Sequence, residues 1–184
     1  KLHEELSKSF VDKRISVLSK GLKQDIQLNT KILDDNKIYI NDHFIGKING
    51  LKIELNYSKS NLDTDIKSLK KAARSGAQNE LTQRINNIVN NVSSLKLRDD
   101  YKVYWDNKKI AELKPGKNYL NPKIKLLIDD TISENQYIKL KLAIQNWVES
   151  QIKNNLNDLI SIEKAVFKNS FSRGLAYQLF ENNG

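Results

Sequence analysis

The residue types that most often carry out catalysis are scarce in this chain. It contains two histidines, His3 and His43, which lie far apart in the sequence, and it has no cysteine. A metal site needs His, Cys or carboxylate ligands that recur at short spacing, and neither histidine belongs to such a set. A serine-nucleophile motif of the Gly-x-Ser-x-Gly type is also absent. We therefore expect no catalytic residue, no metal ligand and no cofactor in this chain.

The pair Gly116-Lys117 superficially matches the end of a phosphate-binding loop. Such a loop needs a glycine five residues earlier, so that backbone N–H groups can surround the phosphates, and Ser or Thr after the lysine to reach magnesium. Here these positions are Ala111 and Asn118, so Pro115-Gly116 is predicted to be a turn. Three acidic pairs are typical of loops and helix caps rather than of a magnesium site: Asp34-Asp35, Asp99-Asp100 and Asp129-Asp130.

Basic residues give the clearest spatial pattern. Lys67, Lys70, Lys71 and Arg74 follow the spacing i, i+3, i+4 and i+7, which places them on one face of a helix. Lys108 and Lys109 begin a second basic group around a predicted hairpin, which also includes Lys114, Lys117, Lys123 and Lys125. Basic surfaces of this kind contact nucleic-acid phosphates, and nearby aromatic rings stack on bases. The candidate rings are Tyr39, Phe44, Tyr101, Tyr104 and Trp105.

An ordinary explanation competes with this reading. The net charge of +9 comes from 26 lysines and only 5 arginines among 184 residues, and lysine codons are rich in A and T. A charged helix face opposite an apolar stripe is also what any surface helix shows. With 39% hydrophobic residues, the chain can form a core.

Targeting signals are not evident in the sequence. No apolar run approaches the ~18–20 residues that span a bilayer, and no signal-peptide pattern is present. We expect a cytoplasmic protein without a membrane partner. Because residue 1 is Lys and Met is absent, we also expect a fragment of a longer protein.

Hydrophobic periodicity predicts helix, then strands, then helix again. Leu2 to Ile32 has helical spacing, and 63–90 carries one apolar stripe. Between them, Lys37–Ile40 and His43–Ile48 flank the hairpin turn Asn41-Asp42, and Leu51–Leu55 alternates as a strand does.

The same order recurs in the second half. Tyr101–Trp105 and Lys108–Leu113 flank the turn Asp106-Asn107, and Lys123–Ile128 is the next strand candidate. Residues 129–133 supply turn and N-cap residues. A long helix is predicted over about 135–160, with Trp147 buried. A short helix is predicted over about 170–180, with Phe171, Leu175 and Leu179 facing inward.

The two halves match residue by residue. An offset of 65 places Lys37–Asp42 on Lys102–Asn107, and an offset of 71 places Ile53 on Ile124. We therefore predict an α+β fold of two similar hairpin–strand–long-helix modules in one domain, produced by internal duplication. The predicted boundaries are 1–33 for an N-terminal helical segment, 36–92 and 100–162 for the modules, and 163–184 for a C-terminal helix.

Most of the chain resembles a known family. The matching stretches are RISVL at 14–18, DHFIGKINGL at 42–51, IAELKPG at 110–116, LNPK at 120–123 and RGLAYQL at 173–179. They are similar to the region C-terminal to the helicase core in alphaproteobacterial relatives of the mitochondrial-degradosome RNA helicase, a superfamily-two helicase. The resemblance implies two upstream RecA-like domains that bind ATP and magnesium. This chain contains neither of their motifs, so it implies no site residue here.

Two functions follow as hypotheses. In the first, the chain is a non-catalytic accessory region of an ATP-dependent helicase that binds RNA or DNA beside the motor. Its candidate contacts are Lys67, Lys70, Lys71, Arg74, Lys108 and Lys109. In the second, it is a protein-docking module, which predicts an exposed apolar patch instead of a basic surface.

Overall fold

The structure is a computed structural model that describes residues 5, 30–33, 35–56, 63–116 and 120–181. Most of the N-terminal helix expected from the sequence lies outside these residues. Its last three positions, Thr30–Ile32, form strand β1 instead. Thr30 pairs with Ile40 of the next strand, and this cross-strand pairing overrides the helical spacing.

The first sheet is a four-stranded antiparallel meander. After β1 come β2 (Lys37–Ile40), β3 (His43–Asn49) and β4 (Lys52–Leu55), and neighbours in sequence are neighbours in the sheet. The predicted turn Asn41-Asp42 joins β2 to β3, with both residues at positive φ. Asn and Asp tolerate this left-handed conformation, so the expected hairpin is confirmed.

A second meander has the same strand order. Its strands are β5 (Lys96–Leu97), β6 (Lys102–Trp105), β7 (Lys108–Lys114) and β8 (Lys123–Leu126), and a short 3-10 helix, Val92–Ser94, precedes them. The hairpin predicted around Asp106-Asn107 is again confirmed. The molecule is therefore α+β, with two four-stranded antiparallel sheets and helices.

The strand registers of the two sheets coincide under the offsets read from the sequence. Each sheet has a bulge at one place, after Ile38 in the first and after Val103 in the second. The non-glycine residues at positive φ also fall into equivalent pairs: Asn36 with Tyr101, Asn41 with Asp106, and Asp42 with Asn107. The two sheets thus share their backbone irregularities as well as their regular pairing.

Each sheet is followed by a long helix. The first is α1 (Asp63–Asn90), whose bounds match the prediction. Its buried stripe is Leu69, Ala73, Ala77, Leu81, Ile85 and Ile88. The second is α2 (Glu134–Asn155), which begins with a capping box in which Ser133 accepts from the Gln136 N–H. Residues from both sheets and both helices contribute to one hydrophobic core.

The sheets meet at the turn between β3 and β4. Leu51 is fully buried and forms a parallel bridge with Ile128, just after β8. The Leu51 carbonyl accepts from the Asp129 N–H at 2.9 Å. Beside it, Gly50 has φ +62, and a Cβ there would lie 3.1 Å from the Lys109 carbonyl oxygen. This position therefore needs glycine for its conformation and for the close approach of β7.

Two helix predictions need correction. The helix expected over 135–160 ends at Asn155, and α3 (Asn157–Lys164) follows after a break at Leu156. Asn155 donates its side-chain amide to the Gln151 carbonyl, the kind of local bond that favours helix ends over helix interiors.

The final helix, α4 (Ser170–Glu181), has the expected position, but its apolar face was wrongly assigned. Phe171 is 79% exposed and Leu175 is 48% exposed, and only Leu179 is half-buried. Among the described elements, α4 packs mainly on α3, and so short a helix pair covers little apolar surface.

Trp147 is buried, as predicted, while its equivalent in α1 is Gly76. A Cβ at Gly76 would lie 2.2 Å from Thr30 Cγ2, so β1 packs directly on the α1 backbone. We expect Trp147→Ala to lower the free energy of unfolding by about 3–5 kcal/mol, because it empties a large core volume. Urea denaturation measures this, with Leu142→Ala, an exposed position on the same helix, as the control expected to cost less than about 1 kcal/mol. Equal losses in the two variants would contradict the core assignment.

Candidate nucleic-acid interface

The basic residues of α1 line an open groove. Lys67 and Lys71 are exposed and Lys70 is half-buried, and all three border a groove of about 440 Å³. Arg74 lies at the same groove, one turn further along the helix. The structure therefore brings these four predicted residues together.

Arg74 is nevertheless occupied by carboxylates. Its Nε lies 3.0 Å from Oδ1 of Asp129, and its Nη2 lies 3.0 Å from Oδ2 of Asp130. Asp129 is the buried partner, at 9% exposure, and it also accepts from the Thr131 hydroxyl and N–H. Arg74 therefore lies on the basic helix face that its spacing predicts, but its guanidinium is paired with protein carboxylates. These carboxylates belong to a loop more than fifty residues away, which helical spacing cannot reveal.

Lys108 and Lys109 lie away from this groove, on opposite faces of β7, where Lys108 pairs with Trp105 and Lys109 pairs with Tyr104. Lys108 borders a separate cavity of about 140 Å³ together with Arg84 and Trp105. Arg84 lies ten residues beyond Arg74 on α1, or about 15 Å along the helix axis. Its guanidinium is held by Glu80, by the Gly50 carbonyl and by the Asn36 side chain. The six predicted contact residues therefore fall on three surfaces: the α1 groove, the cavity beside Lys108, and the face of the second sheet that carries Lys109.

The outer face of the second sheet is the larger basic surface. Side chains alternate along each strand, and Val103, Ala111 and Leu126 occupy the inner, buried face. Six lysines lie on the opposite face, which we call the lysine face: Lys96, Lys102, Lys109, Lys114, Lys123 and Lys125.

Register aligns these lysines in rows across the strands. Lys96, Tyr104 and Lys109 form the first row, and Lys102, Glu112 and Lys125 form the second. Lys114 and Lys123 form the third. The second and third rows lie about 7 Å apart along the strands. Such a grid of ammonium groups can contact several successive phosphates of one strand.

Acidic residues form ion pairs with only two of these six lysines within the described part of the chain. Lys102 pairs with Asp100 and Lys114 pairs with Glu112. Within the described part of the chain, the other four form no ion pair: Lys96, Lys109, Lys123 and Lys125. The lysine face therefore carries uncompensated positive charge.

The pKa of Glu112 reflects this charge. A hydrogen bond from Lys114 is the largest cause that lowers the pKa, and the positive charges of Lys125 and Lys102 add to it. A hydrogen bond from Lys102 likewise lowers the pKa of Asp100, and Asp100 in turn raises the pKa of Tyr104. Tyr104 thus keeps its proton and donates it to Asp100 at 2.8 Å.

The corresponding face of the first sheet is chemically different. Its four lysines are Lys31, Lys37, Lys47 and Lys52, and the first three pair with Asp42, Asp35 and Glu54. Phe44 and Glu54 occupy the positions equivalent to Lys109 and Lys125. The two sheets therefore share a backbone but differ in surface charge.

Sequence reasoning found only part of the lysine face. Lys109, Lys114, Lys123 and Lys125 were visible as a cluster near the second hairpin, but Lys96 and Lys102 were missed. β5 has only two residues, too few for an alternating pattern, so its place in the sheet follows only from its pairing with β6.

The candidate aromatic rings have unequal exposure. Tyr101 is 70% exposed and Phe44 is 42% exposed, whereas Tyr104 is buried. Tyr39 and Trp105 are half-buried, and Tyr39 meets Phe44 edge to face. Only the first two expose a large part of a ring to solvent.

Other site types find no support among the described residues. They contain no group of three His, Cys, Asp or Glu side chains that could hold a metal ion. None of their helices is long and apolar enough to cross a membrane. Comparison of the chain with protein-family models, with curated proteins and with solved structures finds no match.

The ion pairs of Arg74 should contribute to the stability of the fold. Arg74→Gln should lower the free energy of unfolding by about 1–3 kcal/mol, because Asp129 then stays buried without its charged partner. Lys71→Gln, a matched change on the exposed side of the same groove, should cost less than about 0.5 kcal/mol. Chemical denaturation of both variants measures the difference. Indistinguishable stabilities would show that Arg74 is only a surface charge.

Proposed function

We propose that this chain is a non-catalytic nucleic-acid-binding module whose main contact with the phosphate backbone is the lysine face. The observation that carries the proposal is the lysine face itself, with six lysines in three rows across β5–β8. Four of them form no ion pair within the described residues. Ammonium groups without acidic partners attract the phosphates of a nucleic-acid backbone, and this attraction does not depend on the base sequence.

The α1 groove is a secondary contact in this proposal. Lys67 and Lys71 are exposed there, while Arg74 shapes the groove through its carboxylate pairs. Lys109 belongs to the lysine face, and Lys108 precedes it at the start of β7. Of the six residues predicted from sequence, Lys67, Lys70, Lys71 and Lys109 are therefore proposed to bind phosphates and Arg74 to hold the groove in shape. Lys108 lies on the other side of β7, beside Trp105, and has no binding role in this proposal.

The proposed biological setting comes from the family resemblance. We infer an accessory region that lies C-terminal to an ATP-dependent helicase motor and holds RNA or DNA beside it. In this setting ATP and magnesium belong to the motor, and this chain supplies only binding surface.

We also propose that the two modules arose by internal duplication. Shared register, shared bulges and the three equivalent pairs at positive φ support this origin. Under this proposal, one copy kept neutralised lysines and the other gained the basic surface.

Protein docking remains a second candidate function because of one observation. Val166, Phe171 and Tyr177 are exposed by 94%, 79% and 67% in the C-terminal α3–α4 region. A contiguous patch of exposed apolar residues is typical of contact surfaces, whereas single exposed residues are normal, so this candidate function requires the three side chains to be covered by one partner. The same binding experiment separates the two candidates.

The test is binding to labelled single-stranded RNA across a salt series. A triple variant, Lys109→Gln, Lys123→Gln and Lys125→Gln, should flatten the slope of log affinity against log salt by about two units, at about 0.7 per lost phosphate contact. The charge-matched control changes Lys52, Lys139 and Lys153 to Gln, all of which are exposed outside the lysine face.

The outcomes are distinct. A slope near zero for the unmodified protein would rule out phosphate binding and favour the docking function. Equal loss of slope in the two triple variants would show that net charge matters and the lysine face does not.

A further inference from the structure

The turn between β5 and β6 lies at one end of the lysine face. Tyr101 donates its N–H to the Arg98 carbonyl at 3.0 Å, and Arg98 donates its N–H to Lys102. The backbones of Arg98 and Tyr101 therefore lie close together, at the two ends of a tight turn. Tyr104, in the first row of the lysine face, lies directly beneath Arg98.

Tyr101 combines an unfavourable backbone with an exposed ring. Its φ is +56, a conformation that bulky residues rarely adopt. The fold requires this conformation, because the Tyr101 carbonyl accepts from Leu113, as the Asn36 carbonyl accepts from Ile48 in the first module. Asn suits such a position, but Tyr does not.

The Tyr101 side chain contributes little to the packing of the fold. It is 70% exposed, and among the described residues its ring has no aromatic contact and its hydroxyl no hydrogen-bond partner. A strained backbone conformation, such as the positive φ of Tyr101, is typical of functional sites when the side chain does not stabilise the fold.

Arg98 adds a second flat surface. Its guanidinium carbon lies 4.0 Å from the centre of the Tyr104 ring, and its Nη2 donates to the Asn107 side chain at 2.9 Å. These two contacts hold the guanidinium plane in place while the residue remains exposed. A fixed guanidinium plane stacks on nucleobases as an aromatic ring does.

Charge distinguishes this turn from the lysine face. Asp99 and Asp100 lie between Arg98 and Tyr101, and Asp99 is exposed. Carboxylates repel phosphates, but they do not repel a nucleobase, because its stacking face carries no charge. The turn therefore suits bases, while the adjoining rows suit phosphates.

We propose that Tyr101 and Arg98 form a base-stacking subsite for an unpaired nucleotide of a single strand whose phosphates lie along the lysine face. This inference rests on the proposed function and adds a substrate class to it. Bases of a duplex are already stacked inside the helix, so the subsite makes the protein selective for single strands.

The test replaces Tyr101 by the residue found at the equivalent position of the first module. Tyr101→Asn should weaken binding to single-stranded RNA by roughly 5- to 100-fold, the usual effect of losing one stacking contact. It should leave duplex binding and the salt slope unchanged, because no phosphate contact is lost. Its melting temperature should not fall, since Asn accepts a positive φ.

Two further variants provide controls. Tyr101→Phe should keep the affinity, because stacking needs the ring and not the hydroxyl. Tyr177→Asn changes another exposed tyrosine, on α4, and should leave RNA binding unchanged. A 2-aminopurine base in the RNA should be quenched by the unmodified protein and less so by Tyr101→Asn.

The results separate the two proposals. If Tyr101→Asn binds single strands as well as the unmodified protein while the lysine-face triple variant loses slope, the stacking subsite is wrong and the phosphate surface stands. Equal weakening for single strands and duplex would also overturn the subsite. If the unmodified protein shows no salt-dependent binding to RNA, both proposals fail.

Discussion

One hydrophobic core joins the two halves of this molecule, and the contact between Leu51 and the segment after β8 links their backbones across it. Leu51 is buried in the shared core, bridges to Ile128 and accepts a hydrogen bond from Asp129. Gly50 allows β7 to approach, and Arg84 of α1 donates to the Gly50 carbonyl. One short turn thus connects both sheets and the first long helix. Because it also places Asp129 beside Arg74, the basic groove of α1 depends on the same contact.

The elements with strong local signals were predictable from the sequence. Both hairpins carry turn residues that accept positive φ, α1 has an unbroken apolar stripe, and Ser133 caps α2 as expected. β1 and β5 could not be predicted, because strands of three and two residues show no periodicity and depend on their partners. The break at Leu156 was hidden because apolar spacing continues across it. Helix periodicity alone also placed Phe171 in the core, although its side chain is exposed and α4 packs mainly on α3 within the described part of the chain.

The sequence showed that the candidate site is rich in lysine, but it did not show how the lysines are arranged on one surface. Alternation along β8 already placed Lys123 and Lys125 on one side of a strand. Their alignment with Lys114, Lys102 and Lys96 needed the register of four strands, which local sequence does not specify. The pairing of Arg74 could not be predicted either, because it depends on an ion pair with Asp129, which is distant in the sequence. Long-range pairing therefore decides which basic residues are available to a ligand and which stabilise the fold.

The joint at Leu51 has a consequence for how chains assemble. It connects residues that are far apart in sequence, whereas each meander pairs only neighbouring strands, so each sheet can form locally before the two halves dock. The segment that connects them, between Asn90 and Lys96, is short. If docking occurs at high protein concentration, the first half of one molecule meets the second half of another through the same surfaces. The fold therefore contains the elements of a domain-swapped dimer, in which each lysine face would be joined to the partner's first sheet.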